Sequence, residues 1–377
     1  MTTHVAHLVY SFSTGGLENV VTQLINGLPH DRFRHSLIAV GAVDPQYLPR
    51  ITRTDVQVHQ LNKGPGQPFK LYPRMRALLR ELRPDVLHSC NLAALDFVPA
   101  AAWAGVPRCV HAEHGWSADD PGGTNRRRQW ARRVYRPWVH DYVAVSQEIS
   151  DYLQQRVGVP SARVHLIPNG IDLARFRPPS AAERHQVPTG FPFDHRRHRI
   201  VGTVGRMEPV KNHRLLLNAL ALALRQSPDA RESLRLVMVG DGPLRAAVQE
   251  QVQALGLQDH VWLAGNRSDI PELLRAMDVF VLCSLAEGTS CALQEAMASG
   301  LDIIATDVGG NGQLLDGGTA GTLIASGSAS DLARELSRRA SDQGTAWGAL
   351  ARHRAETSYA LTATLNRYAQ LFAAHAR

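Results

Sequence analysis

Short apolar runs alternate with helix-period segments along this chain, and the alternation runs through twice. The first set of runs covers 5–10, 36–40, 56–61, 86–88, 107–110, 142–145 and 164–167. The second covers 200–204, 234–239, 260–263, 279–283, 303–305 and 322–324. Between them lie segments with helical spacing, such as 17–28, 71–82, 147–157, 215–224, 244–255 and 270–277. Strands separated by helices require parallel sheets with right-handed crossovers. The fold class is therefore α/β, with two doubly wound, Rossmann-like domains. Ligands of such sheets lie beyond the carboxyl ends of the strands, so the two domains are expected to face each other across a ligand cleft. A chain of 377 residues can give each domain its own core. The Pro- and His-rich stretch 176–198 has no periodicity and reads as a linker. That predicts a first domain over 1–175 and a second over 199–357.

The richest chemical signal lies late in the chain. Glu287 and Glu295 bracket a run that follows one apolar strand and precedes another. Gly288, Thr289 and Ser290 predict a turn, and Glu295 falls in an Ala-rich helix that Gly300 ends. One carboxylate thus sits at a strand-to-helix turn and the other inside the helix, with free backbone N–H groups between. Two acceptors for sugar or ribose hydroxyls beside donors for an anion suit a nucleotide sugar.

Other strand ends carry further candidates. Gly15 and Gly16 follow the first strand and open a helix, where they let the backbone turn and leave N–H groups open to an anion. No G-x-G-x-x-G fingerprint accompanies them, which argues against a nicotinamide or flavin enzyme. Arg206 and Lys211 flank the turn after the first strand of the second half. A guanidinium and an ammonium there can hold a diphosphate and stabilise it as it leaves. His111 and His114 compete for a role just past a strand, with His114 preferred because Gly115 follows it. Their His-x-x-His spacing has no further ligand cluster in the sequence, so no metal is expected.

Charge is lopsided. Up to Ser180 there are 21 Lys/Arg against 14 Asp/Glu, so the whole net charge of +7 belongs to the first half. Much of it lies in segment 126–136, interleaved with Trp130, Tyr135 and, just beyond, Trp138. A solvated helix face and a surface that lies on anionic lipid both fit this pattern. No nucleic-acid-binding motif accompanies it, so nucleic acid is not an expected partner. No apolar run reaches the ~18 residues of a membrane span. The N-terminal residues read as the approach to a first strand, so no secretory signal is expected, and Cys90, Cys109, Cys283 and Cys291 lack C-x-x-C spacing. Buried thiols in a reducing cytoplasm are expected, with the inner face of the cell membrane as a peripheral site.

Together these motifs resemble the retaining, GT-B-fold glycosyltransferases of family 4, the "glycosyl transferases group 1" class. The run from Glu287 to Glu295 is similar to that family's E-x7-E signature. Gly15 and Gly16 are similar to its G-G-x-E loop, and Arg206 with Lys211 to its G-R-x5-K pattern. The resemblance implies a nucleotide-diphosphate sugar donor, most plausibly a UDP-sugar, and a saccharide or lipid-linked acceptor in cell-surface or exopolysaccharide synthesis. It implies that Glu287 meets the donor sugar, Glu295 the ribose, and the segment containing Asn266 and Arg267 the nucleobase. It places His114 at the sugar, and sends the last helix, about 358–377, back to the first domain. No cofactor is implied, because the nucleotide sugar is a substrate. Two departures stand out: Asp302 where Pro is usual, and Gln313 where Glu is usual. A nucleotide-sugar epimerase of the same fold and an inactive nucleotide-sugar-binding protein are the alternatives.

Overall fold

The computed structural model describes residues 2–64, 68–116, 120, 122–183, 186–341 and 347–374. They fall into two compact units, residues 1–170 with 361–377, and residues 171–360. Unit 1 holds strands β1 (Thr3–Val9), β2 (Phe33–Ala39), β3 (Gln57–Gln60), β4 (Val86–Cys90), β5 (Arg108–Glu113), β6 (Asp141–Ala144) and β7 (Val164–Leu166). They form one sheet in the order β3-β2-β1-β4-β5-β6-β7. Every pairing is parallel. Unit 2 holds β8 (Arg199–Val204), β9 (Leu234–Val239), β10 (Val261–Gly265), β11 (Val279–Leu282), β12 (Asp302–Thr306) and β13 (Thr322–Ile324). Their order is β10-β9-β8-β11-β12-β13, again all parallel.

Both sheets reverse their winding once, between β1 and β4 and between β8 and β11. At such a switch point neighbouring crossovers leave the sheet in opposite directions, so a crevice opens at the strands' carboxyl ends. Each sheet is covered on both faces. In unit 1, Leu8 and Leu87 pack in one cluster, while Val5, Val86 and Val110 pack in another with Tyr368 and Phe372 of the helix Leu361–Ala373. In unit 2, Val201, Leu236 and Val281 lie in one cluster and Ile200, Val237 and Phe280 in the other. Alternate strand residues feed opposite faces.

The stretch read as a linker packs on unit 2. Phe176 is buried. Phe191 and Phe193 pack against the same cluster as Phe280, and Phe191 stacks on His195 with ring centroids 4.9 Å apart. Arg352 donates to the Phe176 carbonyl.

Several histidines lie inside the units without a charge partner. Burial, and then the charge of Arg53, holds the His35 imidazole down to about 3. Burial, and then Lys211, holds His213 at about 4. Burial beside His35 and His88 holds His7 well below its usual value. An unfolded chain protonates its histidines below about pH 6.5. Below that pH the unfolded state therefore binds more protons than the folded one, and stability falls with pH. The window runs from about 6.5 down to the folded values of 3 to 4. By pH 5 His35 and His213 each cost about 2 kcal/mol, and His7 acts in the same direction. Thermal melts with a chelator present should therefore drop steeply between pH 6.5 and 5, and a flat profile there would contradict this burial.

Candidate functional site

In unit 2 the candidate residues gather at the carboxyl ends of β8 and β11, the two strands at the switch point. The loop after β8 carries Arg206 and Lys211, and the loop after β11 carries Glu287. Leu285 N–H donates to the Val210 carbonyl at 2.8 Å and ties the two loops together. Lys211 Nζ lies 2.6 Å from Glu287 Oε1. The Ser284 hydroxyl donates to the same oxygen at 2.5 Å. Ser284 is itself fixed because its carbonyl accepts from Thr306 Oγ1 at 2.7 Å. Arg206 is 59 % exposed and pairs with Glu208 at 3.0 Å. Both cations are thus held by carboxylates of the same rim. Partly exposed pairs of this kind are worth about 0–1 kcal/mol, so an arriving diphosphate can take over both cations at small cost.

The turn after Glu287 is shaped from the next strand end. Gly310 N–H donates to the Gly288 carbonyl at 3.0 Å. Gly309 has φ +53, and a Cβ there would stand 1.8 Å from the Glu287 carbonyl oxygen. Only glycine fits both the left-handed backbone and the close approach. Buried Asn311 holds the loop by donating to the Thr306 carbonyl at 3.0 Å. The helix Cys291–Ala298 begins at Ser290, whose hydroxyl accepts from Leu293 N–H at 3.3 Å. The Ser290 side chain is therefore a buried helix cap, and its side chain is spent on that role. Glu295 lies on this helix, partly buried.

Asn266 is exposed beyond β10. Arg267 is engaged in structure: its guanidinium pairs with Asp269 at 2.5 Å and donates to the Thr189 carbonyl at 3.1 Å. It fastens the stretch before β8 onto unit 2. The expected departure at Asp302 has a physical reason as well. Asp302 opens β12 and accepts from Arg339 at 3.1 Å. That guanidinium is 1 % exposed and also donates to Thr322. A proline at 302 would leave it buried without this partner. Gln313 is exposed, and its backbone carbonyl accepts from Tyr359.

In unit 1 the helix Gly16–Gly27 starts at Gly15, with no side-chain cap. Gly15 has φ −172, extended backbone open to any residue, so the expected glycine-dependent turn is absent. Its lack of a side chain matters differently: a Cβ would stand 2.2 Å from the Glu18 carboxylate. The two competing histidines separate clearly. His111 is buried within β5, with Nδ1 2.8 Å from Ser89 Oγ and Nε2 3.2 Å from Glu113 Oε1. Glu113 is held by Arg132 through contacts of 2.6 and 3.1 Å. Burial alone would raise the Glu113 carboxyl, but Arg132 and His111 hold it well below the usual range. His114 lies past the end of β5, with its N–H on Asn91 Oδ1 at 2.8 Å. Both its ring nitrogens are buried without a hydrogen-bond partner, and Asn169 is the side chain near enough to favour its charged form. Burial outweighs this and the nearby Glu113, so the imidazole is pushed down to about 4 and is neutral at pH 7. His111 is thus a structural group, and His114 is the one available to a ligand.

Segment 126–136 is divided in its uses. Arg132 faces inward to Glu113, Arg133 donates to the Arg156 carbonyl, and Arg136 donates to Gly158. Arg126, Arg127 and Trp130 remain at the surface, Trp130 being 66 % exposed. Among the described residues no helix is long and apolar enough to cross a membrane.

Residues 14–175 match the model of "Glycosyltransferase Family 4", and residues 198–342 match that of "Glycosyl transferases group 1". The GDP-mannose-dependent alpha-mannosyltransferase of Mycobacterium tuberculosis is 30 % identical over 337 residues, 82 % of this chain and 80 % of that protein. The chain belongs to the group 1, family 4 glycosyltransferases. It is also similar to the UDP-Gal:alpha-D-GlcNAc-diphosphoundecaprenol alpha-1,3-galactosyltransferase of Escherichia coli. That protein is 28 % identical over 343 residues, covering 85 % of this chain and 83 % of the relative. The architecture matches that of Anabaena HepE, solved in complex with UDP and glucose. The TM-score is 0.82 at 21 % identity, over 99 % of this chain and 100 % of HepE. The fold of this glycosyltransferase is therefore GT-B.

Sequence reasoning missed three supporting residues, one in unit 2 and two in unit 1. Ser284 and Asn91 are small polar residues at strand ends, a position that could have marked them. Glu113 was hidden because its partner Arg132 sat inside an apparent surface charge run.

Proposed function

We propose that this glycosyltransferase is a retaining enzyme that moves a sugar from a UDP-sugar to a saccharide or lipid-linked hydroxyl in cell-surface polysaccharide synthesis. The observation that carries the reading is the Lys211–Glu287–Ser284 contact at the carboxyl end of β11. It puts an ammonium and a carboxylate at one point, one for the departing diphosphate and one for the sugar hydroxyls. Arg206 adds a second, more exposed cation. Glu295 is assigned to the ribose, and the backbone of Gly288, Thr289 and Ser290 to the donor. Asn266 and Arg267 edge the nucleobase through their backbone. The family resemblance assigns Gly15, Gly16 and His114 to the donor as well.

In this reaction the C1–oxygen bond to the diphosphate breaks, and a bond from the acceptor oxygen to C1 forms on the same face. The acceptor proton passes to a phosphate oxygen. Once the diphosphate has taken Lys211 and Arg206 from their carboxylate partners, the two cations stabilise the leaving charge. His114, neutral at pH 7, can hydrogen-bond the sugar without adding a repelling charge. The choice of UDP and of a lipid-linked acceptor rests on the similarity to the E. coli galactosyltransferase.

Proton NMR of product made from a panel of UDP-sugars and lipid-diphosphate saccharides tests the reading. An α-linked product from an α-linked donor is the expected result. A β-linked product, or an altered sugar formed without acceptor, would overturn it.

A further inference from the structure

The strand ends of unit 1 also bring His114 together with two side chains for which sugar transfer has no use. His88 and Cys90 lie two apart on β4, so they share a face of the sheet. His114 follows β5, the neighbouring strand. One ligand atom from each of the three lies within 4.8 Å of the others. Cys90 Sγ is 3.8 Å from both ring nitrogens of His88. Zinc bonds of about 2.3 Å to sulfur and 2.0 Å to nitrogen, at a tetrahedral angle, need an S···N edge of roughly 3.6 Å. That edge is nearly set before any ion arrives. His88 and Cys90 are buried, at 0 % and 1 % exposure. The two ring nitrogens of His114 are buried without a well-formed hydrogen bond, although the Asn169 side chain lies near enough to favour the charged ring, and a metal bond would satisfy one of them.

Behind His88 stands a line of imidazoles that fits the supporting shell of a metal ligand. His88 Nδ1 lies 3.0 Å from His7 Nδ1, and His7 Nε2 lies 3.0 Å from His35 Nδ1. With its Nδ1 engaged by His7, His88 has Nε2 left to ligate. An ion on Nε2 fixes the His88 proton on Nδ1, which then donates to His7. His7 in turn donates from Nε2 to His35. Metal-bound histidines are oriented in this way by an acceptor for their other N–H.

We propose that His88, Cys90 and His114 bind a borderline-soft divalent cation of the zinc type, with three protein ligands and a fourth position open. Cys90 gives up its thiol proton to solvent as the metal–sulfur bond forms. If His114 serves the sugar as read above, an ion here withdraws that imidazole. Zinc then lowers transfer and a chelator restores it.

Cobalt(II) titrated into the reduced, metal-stripped full chain is the test. The expected result is a saturable, one-to-one thiolate-to-cobalt charge-transfer band with the strong visible bands of a four-coordinate site. C90S should abolish the charge-transfer band, and H114N should weaken cobalt binding tenfold or more. C291S, which alters a thiol outside the site, should leave both signals in place. The E287A protein should also bind cobalt normally, so the site is tested even where transfer fails. Absence of the band in folded wild type, or its persistence in C90S protein that folds by circular dichroism, would overturn the proposal. Should C90S not fold, unchanged affinity in H114N would do the same.

Discussion

Replacing Glu287 by alanine is expected to lower kcat by about 10²–10³-fold while leaving the fold intact. The carboxylate receives both the Lys211 ammonium and the Ser284 hydroxyl on one oxygen. Its removal takes away an acceptor for the sugar and frees Lys211 to move. The Lys211 and Glu287 side chains are 23 % and 10 % exposed, so the pair adds only about 0–1 kcal/mol to stability. Melting temperature should then shift by a few degrees at most, as a loss of that size implies. The variant Glu287→Gln keeps the shape and the acceptor oxygen but not the charge, and should fall between the two. Unchanged kcat in the alanine variant would remove Glu287 from the reaction. A collapse in stability would make it a structural residue.

Arg132→Ala is expected to cost about 3–5 kcal/mol of stability, because it leaves Glu113 buried as an unpaired charge. Glu113 is 3 % exposed, and its other partner is His111 at 3.2 Å. A single His111 contact cannot replace the two contacts of 2.6 and 3.1 Å that the Arg132 guanidinium supplies. The paired change Arg126→Ser with Arg127→Ser gives the contrast. Those side chains are exposed, and surface changes usually stay within about 0.5 kcal/mol. If segment 126–136 lies on anionic lipid, the surface pair should weaken co-sedimentation with anionic vesicles while leaving melting unchanged. Equal melting of all these variants would contradict the inward placement of Arg132.

The sheets were legible because parallel strands buried on both faces read as continuous apolar runs. Every run named from the sequence overlaps a strand, and 322–324 coincides with β13. Polar strand interiors were not legible. His7, His35, His88 and His111 sit inside β1, β2, β4 and β5, where composition alone suggests surface. Their burial depends on partners in neighbouring strands, which no local pattern announces. Stretch 176–198 hides its packing on unit 2 for a related reason. Its prolines and charges mask Phe191 and Phe193, whose packing appears only once the sheet of unit 2 exists. In the site, the Glu287 motif was readable within one strand, turn and helix. Its contact with Lys211 spans 76 positions and follows from sheet order, because β8 and β11 are neighbours although β9 and β10 lie between them in the chain. Arg267 shows another limit: the resemblance assigns this segment's backbone to the nucleobase, and nothing local announces that its guanidinium is committed to Asp269 and Thr189.

A crystal structure with UDP bound should show whether the β8 and β11 loops hold the donor. The diphosphate should lie within about 2.7–2.9 Å of Lys211 Nζ and the Arg206 guanidinium, with their present carboxylate partners displaced. Density for UDP away from the β8 and β11 loops, with the Lys211–Glu287 pair unchanged, would contradict it.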